Sequence, residues 1–337
     1  MTGGSIAASL LGYSASGPGI FSDQSDYFPM LARRRTSCYR IVVGPVSTRI
    51  EDLRRVRGTL LMGVLNVTPD SFFDGGRYDD AGDAARRIDQ LLADGADLID
   101  IGAESTRPGA AAIPAAQQIL RLEPALRYAL HSGALVSVDT ASAAVARHAL
   151  ALGAQLINDV SCLADDDLAR ACAEHGAPLI LMHARGPAAS MAGFSVYPDA
   201  GYQDIVADVR REWRAARTRA VAAGMAAEDV YFDPGLGFAK NAQQSYALLA
   251  RLPEFQSEGL MVVGASRKSF IASVDGAPPE ERLGGSVAAC LLAAARGAAI
   301  VRVHDVREVR QALRVAAVVE GESRRAASVN AEAAHAR

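Results

Sequence analysis

From residue 58 onward, short β-branched and aliphatic runs alternate with longer Ala-, Leu- and Arg-rich stretches of helical period. The apolar runs read as strands at Leu60–Leu65, Leu98–Gly102, Leu135–Val138, Leu156–Asn158, Pro178–Met182, Val230–Phe232, Met261–Val263 and Ile300–Val303. Between and after them the period predicts helices over Ala81–Asp94, Pro114–His131, Ser142–Leu152, Asp166–His175, Tyr202–Ala223, Ala242–Ala250, Ser286–Arg296 and Val306–Val319. Gly95, Gly153, Gly176, Gly224 and Gly297 stand just past several of these, where a left-handed residue closes a helix. Strands that alternate with helices demand a parallel sheet with covering helices, and eight such units close into a (β/α)8 TIM barrel. An open doubly wound sheet is the competing architecture. It normally carries G-x-G-x-x-G after its first strand, and none is present.

Composition narrows the class. At 337 residues the chain suits one α/β barrel, about 250 residues in such folds, plus an extension. The segments expected are an N-terminal extension over 1–57, Gly/Ser/Ala-rich and partly flexible, the barrel over 58–320, and a flexible tail over 321–337. Half the residues are apolar and only 6% aromatic, so the core is built from Ala, Leu, Val and Ile. With a net charge of −3 and basic residues scattered apart from Arg33-Arg34-Arg35, no nucleic-acid footprint is expected. Cys38, Cys162, Cys172 and Cys290 form no C-x-x-C pair, which argues against a zinc site or a disulfide framework and for a reducing cytoplasm. The apolar run Ile6 to Leu11 lacks a basic region before it and is too short to span a bilayer, so neither a signal peptide nor a membrane anchor is expected. Asp23 and Asp26 argue against a transit peptide.

In an eight-stranded α/β barrel the chemistry occupies the carboxyl ends of the strands. Here the first strand ends in Asn66 and a polar loop, the second in Glu104–Gly109, the third in Asp139-Thr140 and the fourth in Asn158-Asp159. The fifth delivers His183, the sixth Asp233-Pro234-Gly235, the seventh Ser266-Arg267-Lys268-Ser269 and the eighth Arg302 and His304. Taken singly, Asp-Pro-Gly is most often a turn and Asp-Thr most often a helix cap. Capping does not require Asn, Asp, Lys, Arg and His together at one rim, so their joint occurrence points to a convergent polar pocket.

Eight stretches carry a closer resemblance: Asn66–Gly76 (NVTPDSFFDGG), Glu104–Gly109 (ESTRPG), Val138–Thr140, Asn158-Asp159, Leu181–His183, Asp233–Lys240 (DPGLGFAK), Ser266–Ser269 (SRKS) and Arg302–Val306 (RVHDV). Their order and spacing over residues 58 to 320 resemble dihydropteroate synthase, the folate-pathway member of the pterin-binding barrels. That family joins a dihydropterin pyrophosphate to p-aminobenzoate, and sulfonamides imitate the second substrate. The resemblance therefore implies a sulfonamide target or a resistant form of one.

It also implies roles. Asp233 looks like the bidentate partner of the pterin's amino group and ring N–H, with Asp139, Asn158, Met182 and Lys268 around the rest of the ring. Arg302, His304, Arg107 and Thr106 resemble the pyrophosphate donors, and Asn66 the family's lone protein ligand to Mg²⁺. For p-aminobenzoate the matching positions are Phe72, Thr106, Pro108, Phe238, Lys268 and Ser269, with Asp74 near the reacting centre. A dissociative, SN1-like route, loops that close on pyrophosphate, and a homodimer are further implications. Phe73 stands where the family usually has Ser, and Ala239 where Gly is usual. Two readings compete: a methyltetrahydrofolate:corrinoid methyltransferase, which needs no pyrophosphate site, and a non-catalytic pterin-binding relative, expected to have lost lid or anion residues. A Schiff-base aldolase is disfavoured because no apolar pocket is evident around Lys268.

Overall fold

The computed structural model describes residues 46–68, 80–104, 113–186 and 195–335, the side chains of 80, 81, 200 and 323–335 excepted. Helix α1 (Val46–Arg57) leads into strand β1 (Leu60–Asn66). There follow α2 (Asp80–Asp94), β2 (Leu98–Gly102), α3 (Ala115–His131), β3 (Leu135–Asp139), α4 (Ala143–Leu152) and β4 (Leu156–Asp159). The second half comprises α5 (Asp166–His175), β5 (Leu179–Met182), α6 (Ile205–Ala222), β6 (Val230–Asp233), α7 (Ala242–Ala250), β7 (Val262–Gly264), α8 (Leu283–Ala295), β8 (Ile300–Val303) and α9 (Val306–His335). Every strand pair is parallel, in the order β6-β5-β4-β3-β2-β1-β8-β7. A bridge between Phe232 and Met261 brings β6 round to β7, so the expected (β/α)8 barrel is nearly closed.

Alternation along each strand separates two cores. Outward-facing Leu61, Ile99, Ile101, Val136, Val138, Ile157, Leu181, Phe232, Val263 and Val301 pack against the helices. The first inward positions, Leu60, Leu98, Leu135, Leu156, Ile180, Tyr231, Val262 and Ile300, form an apolar floor with Met62 and with Ile50 of α1. Helix α1 therefore covers the amino-terminal mouth of the barrel. It is tied there by charge as well: Asp97, wholly buried, ion-pairs with Arg57 of α1 and Arg310 of α9, and accepts the Leu61 N–H at 2.9 Å.

Most boundaries agree with the sequence reading within a few residues, and the differences have local causes. Helix α6 starts at Ile205 because the Asp204 side chain accepts from the N–H of Val206 and Ala207. Helix α8 begins three residues earlier than expected and includes Gly285, where a Cβ would lie 2.3 Å from Ile271 Cγ2. The segment over 1–57, expected to be partly flexible, contains α1, whose Ile50, Val46 and Leu53 bury one face. The tail expected from residue 321 is helical to His335, a proline-free run rich in Ala, Glu and Arg. Residues 1–45, with their apolar run and arginine triplet, lie outside the described residues. Among those described, no helix is long and apolar enough to cross a membrane.

Candidate active site

One step above the apolar floor the inward positions turn polar. Arg302 of β8 reaches across the barrel, its Nε donating to Asp100 Oδ2 at 2.6 Å and Nη2 donating to Asp139 Oδ2 at 2.9 Å. Asn158 Nδ2 donates to the same Asp100 oxygen at 2.9 Å, so β2, β3, β4 and β8 meet in one network. Burial works against the Arg302 charge, but Asp100 and Asp139 outweigh it and keep the guanidinium protonated. Burial pushes Asp139 above the carboxylate range; Arg302 opposes this and Asp100 adds to it. Asn66, at the end of β1, points its amide beside Asp139: a Cβ on Gly102 would lie 3.5 Å from Asn66 Oδ1 and 3.4 Å from Asp139 Cβ.

The loop after β6 supplies the other wall. Asp233 Oδ1 accepts the Gly235 N–H at 2.7 Å, which leaves Oδ2 for a ligand. Burial raises the Asp233 pKa, and Lys268 opposes the rise. Gly235 is required by close approach, because at φ +67° a Cβ there would fall 2.0 Å from the His183 carbonyl oxygen. Buried Met182 stands beside this turn. Lys268 Nζ donates to the Leu236 carbonyl at 2.6 Å and lies 4.8 Å from the centre of the Phe238 ring. Burial lowers Lys268 to about 8, with Asp233 holding it up.

Behind the loop runs a second line of buried charge. Lys240, wholly buried, contacts His183 Nδ1 at 2.9 Å, and His183 Nε2 meets Glu212 at 3.1 Å. Glu212 is gripped by Arg185, whose guanidinium stacks 3.8 Å from the centre of the Tyr202 ring. Tyr202 in turn donates its O–H to the Ala239 carbonyl at 2.9 Å.

At the β7–β8 side, the Ser266 hydroxyl accepts the His304 N–H at 3.2 Å and lies 3.1 Å from His304 Nδ1. If that hydroxyl donates to Nδ1, the Nε2–H is left free to donate. Burial, with Arg302 and Arg267, lowers the His304 pKa to about 4, so the ring is neutral near pH 7. Arg267 is committed to Asp305, with Nε donating at 2.9 Å. Ser269 shares a 2.7 Å hydrogen bond with Ser195.

Of the residues expected from sequence, Asn66, Asp139, Asn158, Met182, Asp233, Phe238, Lys268, Ser269, Arg302 and His304 all lie on the carboxyl ends of strands or on the loops that follow them. Phe72, Asp74, Thr106, Arg107 and Pro108 lie outside the described residues. Asp159 turns to its own loop, accepting from the N–H of Ser161 and Leu163, and is structural. Asp100, Glu212 and Ser195 were not anticipated. Asp100 had a signal: an acid flanked by isoleucines inside the strand LIDIG faces inward by alternation. Glu212 had none, being one acid on an arginine-rich helix.

Carboxylates, an amide and an ammonium converging at one end of the barrel can hold a flat heteroaromatic ring by its donor and acceptor edges. Among the described residues no group of three His, Cys, Asp or Glu side chains is placed to hold a metal ion. A family model described as pterin binding enzyme matches residues 62–304. The chain is 42% identical over 257 residues to the dihydropteroate synthase of Escherichia coli K12, covering 76% of this chain and 89% of that protein. The solved dihydropteroate synthase of Burkholderia cenocepacia, complexed with 7,8-dihydropteroate, is 40% identical with a TM-score of 0.71, over 79% of this chain and 93% of that one. The Yersinia pestis enzyme, solved with a sulfonamide drug, is 40% identical at a TM-score of 0.71, over 78% and 94%. The chain belongs to the dihydropteroate synthase family of pterin-binding enzymes.

Proposed function

We propose that the chain condenses 6-hydroxymethyl-7,8-dihydropterin pyrophosphate with p-aminobenzoate, giving 7,8-dihydropteroate and pyrophosphate. The observation that carries this is the inward-facing set Asp139, Asn158, Asp233, Lys268 and Arg302 at one end of the barrel, Asn158 and Asp233 buried and the other three half-buried, on the positions that resemble the family's motifs. Asp233 Oδ2 accepts from the pterin's amino group and ring N–H, while Asn158, its amide N–H taken by Asp100, offers its carbonyl oxygen. Lys268 donates to the ring's carbonyl side, and Met182 lines the pocket beside Asp233. Burying these polar atoms is tolerable only when each is paired, so rings lacking the pattern are rejected.

Departure of pyrophosphate develops negative charge, and donors placed there stabilise the transition state more than the ground state. Arg302 and the neutral Nε2–H of His304 serve this end, with Arg107 and Thr106 assigned to it by their motif. A cation left on the pterin methylene is conjugated with the ring, so the leaving group departs first and the arylamine then attacks. Positioning of that amine falls to Phe238, Ser269 and Lys268; Phe72, Thr106 and Pro108 are assigned to the same task, and Asp74 to the reacting centre, by their motifs alone.

Mg²⁺ fits the residues present. Asn66 offers one neutral oxygen beside Asp139, and a hard cation that keeps water and phosphate oxygens in its shell needs few protein ligands. Such an ion would neutralise leaving-group charge. The protein is further proposed to work in the cytoplasm as a homodimer. The dimer reading rests on Val315 and Val319 of α9, each 60% exposed, which line one groove with Leu283, Val287 and Leu291 of α8. Sulfonamides compete at the p-aminobenzoate subsite.

Pyrophosphate release measured with both substrates tests the reading. Turnover that needs both, yields dihydropteroate and is inhibited by a sulfonamide supports it. Methyl transfer from methyltetrahydrofolate to a corrinoid, or pterin binding without turnover, refutes it.

A further inference from the structure

Of the 35 Lys and Arg residues in the chain only two are lysines, Lys240 and Lys268. Every other Lys or Arg position is an arginine. Both lysines hold carbonyls of the same loop, residues 233–240, of which Lys240 is itself the last residue. Lys268 takes the Leu236 carbonyl at 2.6 Å on the side of the pterin pocket. Lys240 takes the Gly235 carbonyl at 3.0 Å, the Phe238 carbonyl at 2.9 Å and the His183 carbonyl at 3.3 Å, and faces His183 Nδ1 at 2.9 Å. The loop's carbonyls are thus divided between the two lysines, Leu236 to Lys268 and Gly235 and Phe238 to Lys240.

Burial lowers Lys240 to about 7, with Asp233 opposing the fall, and the acceptor set decides for the charged form. Glu212 accepts at His183 Nε2, so Nδ1 carries the lone pair and accepts from Lys240. Four acceptors converge on one nitrogen, and an ammonium brings three N–H where a neutral amine brings two. A planar guanidinium spreads its donors in a fork and cannot converge them on a point. An arginine-using chain has kept lysine where that geometry is needed.

We propose that Lys240 is a positioning residue for the reaction: an internal ammonium that holds the 233–238 loop from behind and so sets the Asp233 carboxylate and the Phe238 ring beside which Lys268 works. The proposal rests on the dihydropteroate synthase reading. Asp233 is attached to the parts Lys240 grips, since its carbonyl accepts the His183 N–H at 2.9 Å and its carboxylate accepts the Gly235 N–H at 2.7 Å. The titratable and charged groups facing Lys240 are His183, Asp233, Lys268, Cys162 and Arg185; the cations facing Asp233 are Lys268, Lys240 and Arg302.

The test uses the full chain with Lys240→Met, Lys240→Arg and, as a control, the exposed Arg86→Lys. Thermal unfolding confirms that each folds, and titration with a pterin analogue across pH is compared with steady-state turnover. Both Lys240 variants are expected to lose about tenfold or more in pterin affinity, a loss of about 1.4 kcal/mol, together with kcat, while Arg86→Lys matches the parent. In Lys240→Met the acid limb of pterin binding moves to higher pH, because Asp233 has lost a facing cation; in Lys240→Arg it stays in place. Parent-like affinity in Lys240→Arg, or a uniform loss in Lys240→Met with an unmoved limb, overturns the proposal. Should neither variant fold, the parent protein labelled with [15N]lysine gives two side-chain nitrogen signals, and Lys268→Met identifies which is which. The Lys240 signal is expected to be an ammonium that shifts when the analogue binds, and an unmoved signal overturns the proposal. Failure of the parent to release pyrophosphate would instead count against the dihydropteroate synthase reading, because the binding and resonance measurements do not require turnover.

Discussion

Asp100 is the group on which the pocket's architecture depends most. It is wholly buried, and its Oδ2 accepts from both Arg302 Nε and Asn158 Nδ2, while Oδ1 has no hydrogen-bonding partner among the described residues. Asn at this position can keep both bonds through its carbonyl oxygen, but its NH₂ then occupies the buried Oδ1 position, where no described residue accepts from it. The loss is the carboxylate's charge together with an unpaired amide donor, and Arg302 retains Asp139 as a partner. Weakening a charge-assisted hydrogen bond and leaving a buried donor unpaired should together cost about 1–3 kcal/mol of stability in Asp100→Asn. Asp100→Ala strips the acceptor from both donors and leaves a buried guanidinium half paired, which costs about 3–5 kcal/mol. Urea unfolding with the m-value checked for constancy measures both. A double-mutant cycle with Arg302→Met should give a coupling of at least about 1 kcal/mol. Equal costs for Asn and Ala, or a coupling near zero, would refute the claim that Asp100 anchors Arg302.

Four further outcomes follow from the same geometry. Arg302→Ala and His304→Ala should each lower kcat by about 10²–10³ while moving the KM for p-aminobenzoate far less, and near-normal turnover would remove their leaving-group role. Asp233→Asn should weaken a pterin analogue by several kcal/mol, roughly, because it presents an N–H to ligand donors; calorimetric titration reads this, and unchanged affinity would reduce Asp233 to a turn residue. Ala239 has φ +47°, a left-handed conformation costing a non-glycine residue about 1–2 kcal/mol, so Ala239→Gly should raise stability by up to about 1 kcal/mol once the entropy of glycine is deducted. Buried His183 has its pKa lowered to about 4, first by burial and then by Lys240, against an ordinary value near 6.5, so the folded state favours the neutral ring. Its contribution is present above about pH 6.5 and is lost as pH falls towards 4; at most about 3 kcal/mol is involved, and His183→Gln should flatten that part of the stability–pH curve.

The barrel was legible because its signals are local. Strand and helix periods, and glycines closing helices, are written within ten or fifteen residues, and all eight strands stand where the apolar runs lie. The ends of strands were legible for the same reason, since a polar residue that terminates an apolar run faces the barrel's carboxyl rim. What the sequence did not disclose depends on partners far apart along the chain. Asp100 acquires its meaning from Arg302, 202 residues away, and Glu212 from His183 and Arg185 on another loop. The face that makes α1 a barrel floor cannot be recognised without the ring of residues it covers, because its short polar helix has one wholly buried side chain, Ile50. Asp159 shows the converse: named only as one of the polar residues at the strand ends, it has both carboxylate oxygens consumed by a tight turn of its own loop.

The interior of the barrel is divided by charge, and the division bears on the order of the proposed reaction. Below lies an apolar floor; above it Asp100, Asp139 and Asp233 are set against Arg302, Lys268 and Lys240. Burial draws Asp139 up and Lys240 down, each to about 7, so the two signs weaken together and the described pocket is near neutrality before any ligand arrives. An uncharged pterin ring can enter without disturbing that balance, exchanging water for the free faces of Asp233, Asn158 and Lys268. A pyrophosphate cannot, because Arg302 already has a carboxylate on each side and His304 is neutral. In the proposed reaction the anion would therefore arrive with countercharge of its own, as the magnesium salt proposed near Asn66, or draw on Arg107. Carboxylates that look superfluous beside the proposed anion site would then have a physical role, keeping the cations from trapping pyrophosphate after the bond has broken, when product must leave.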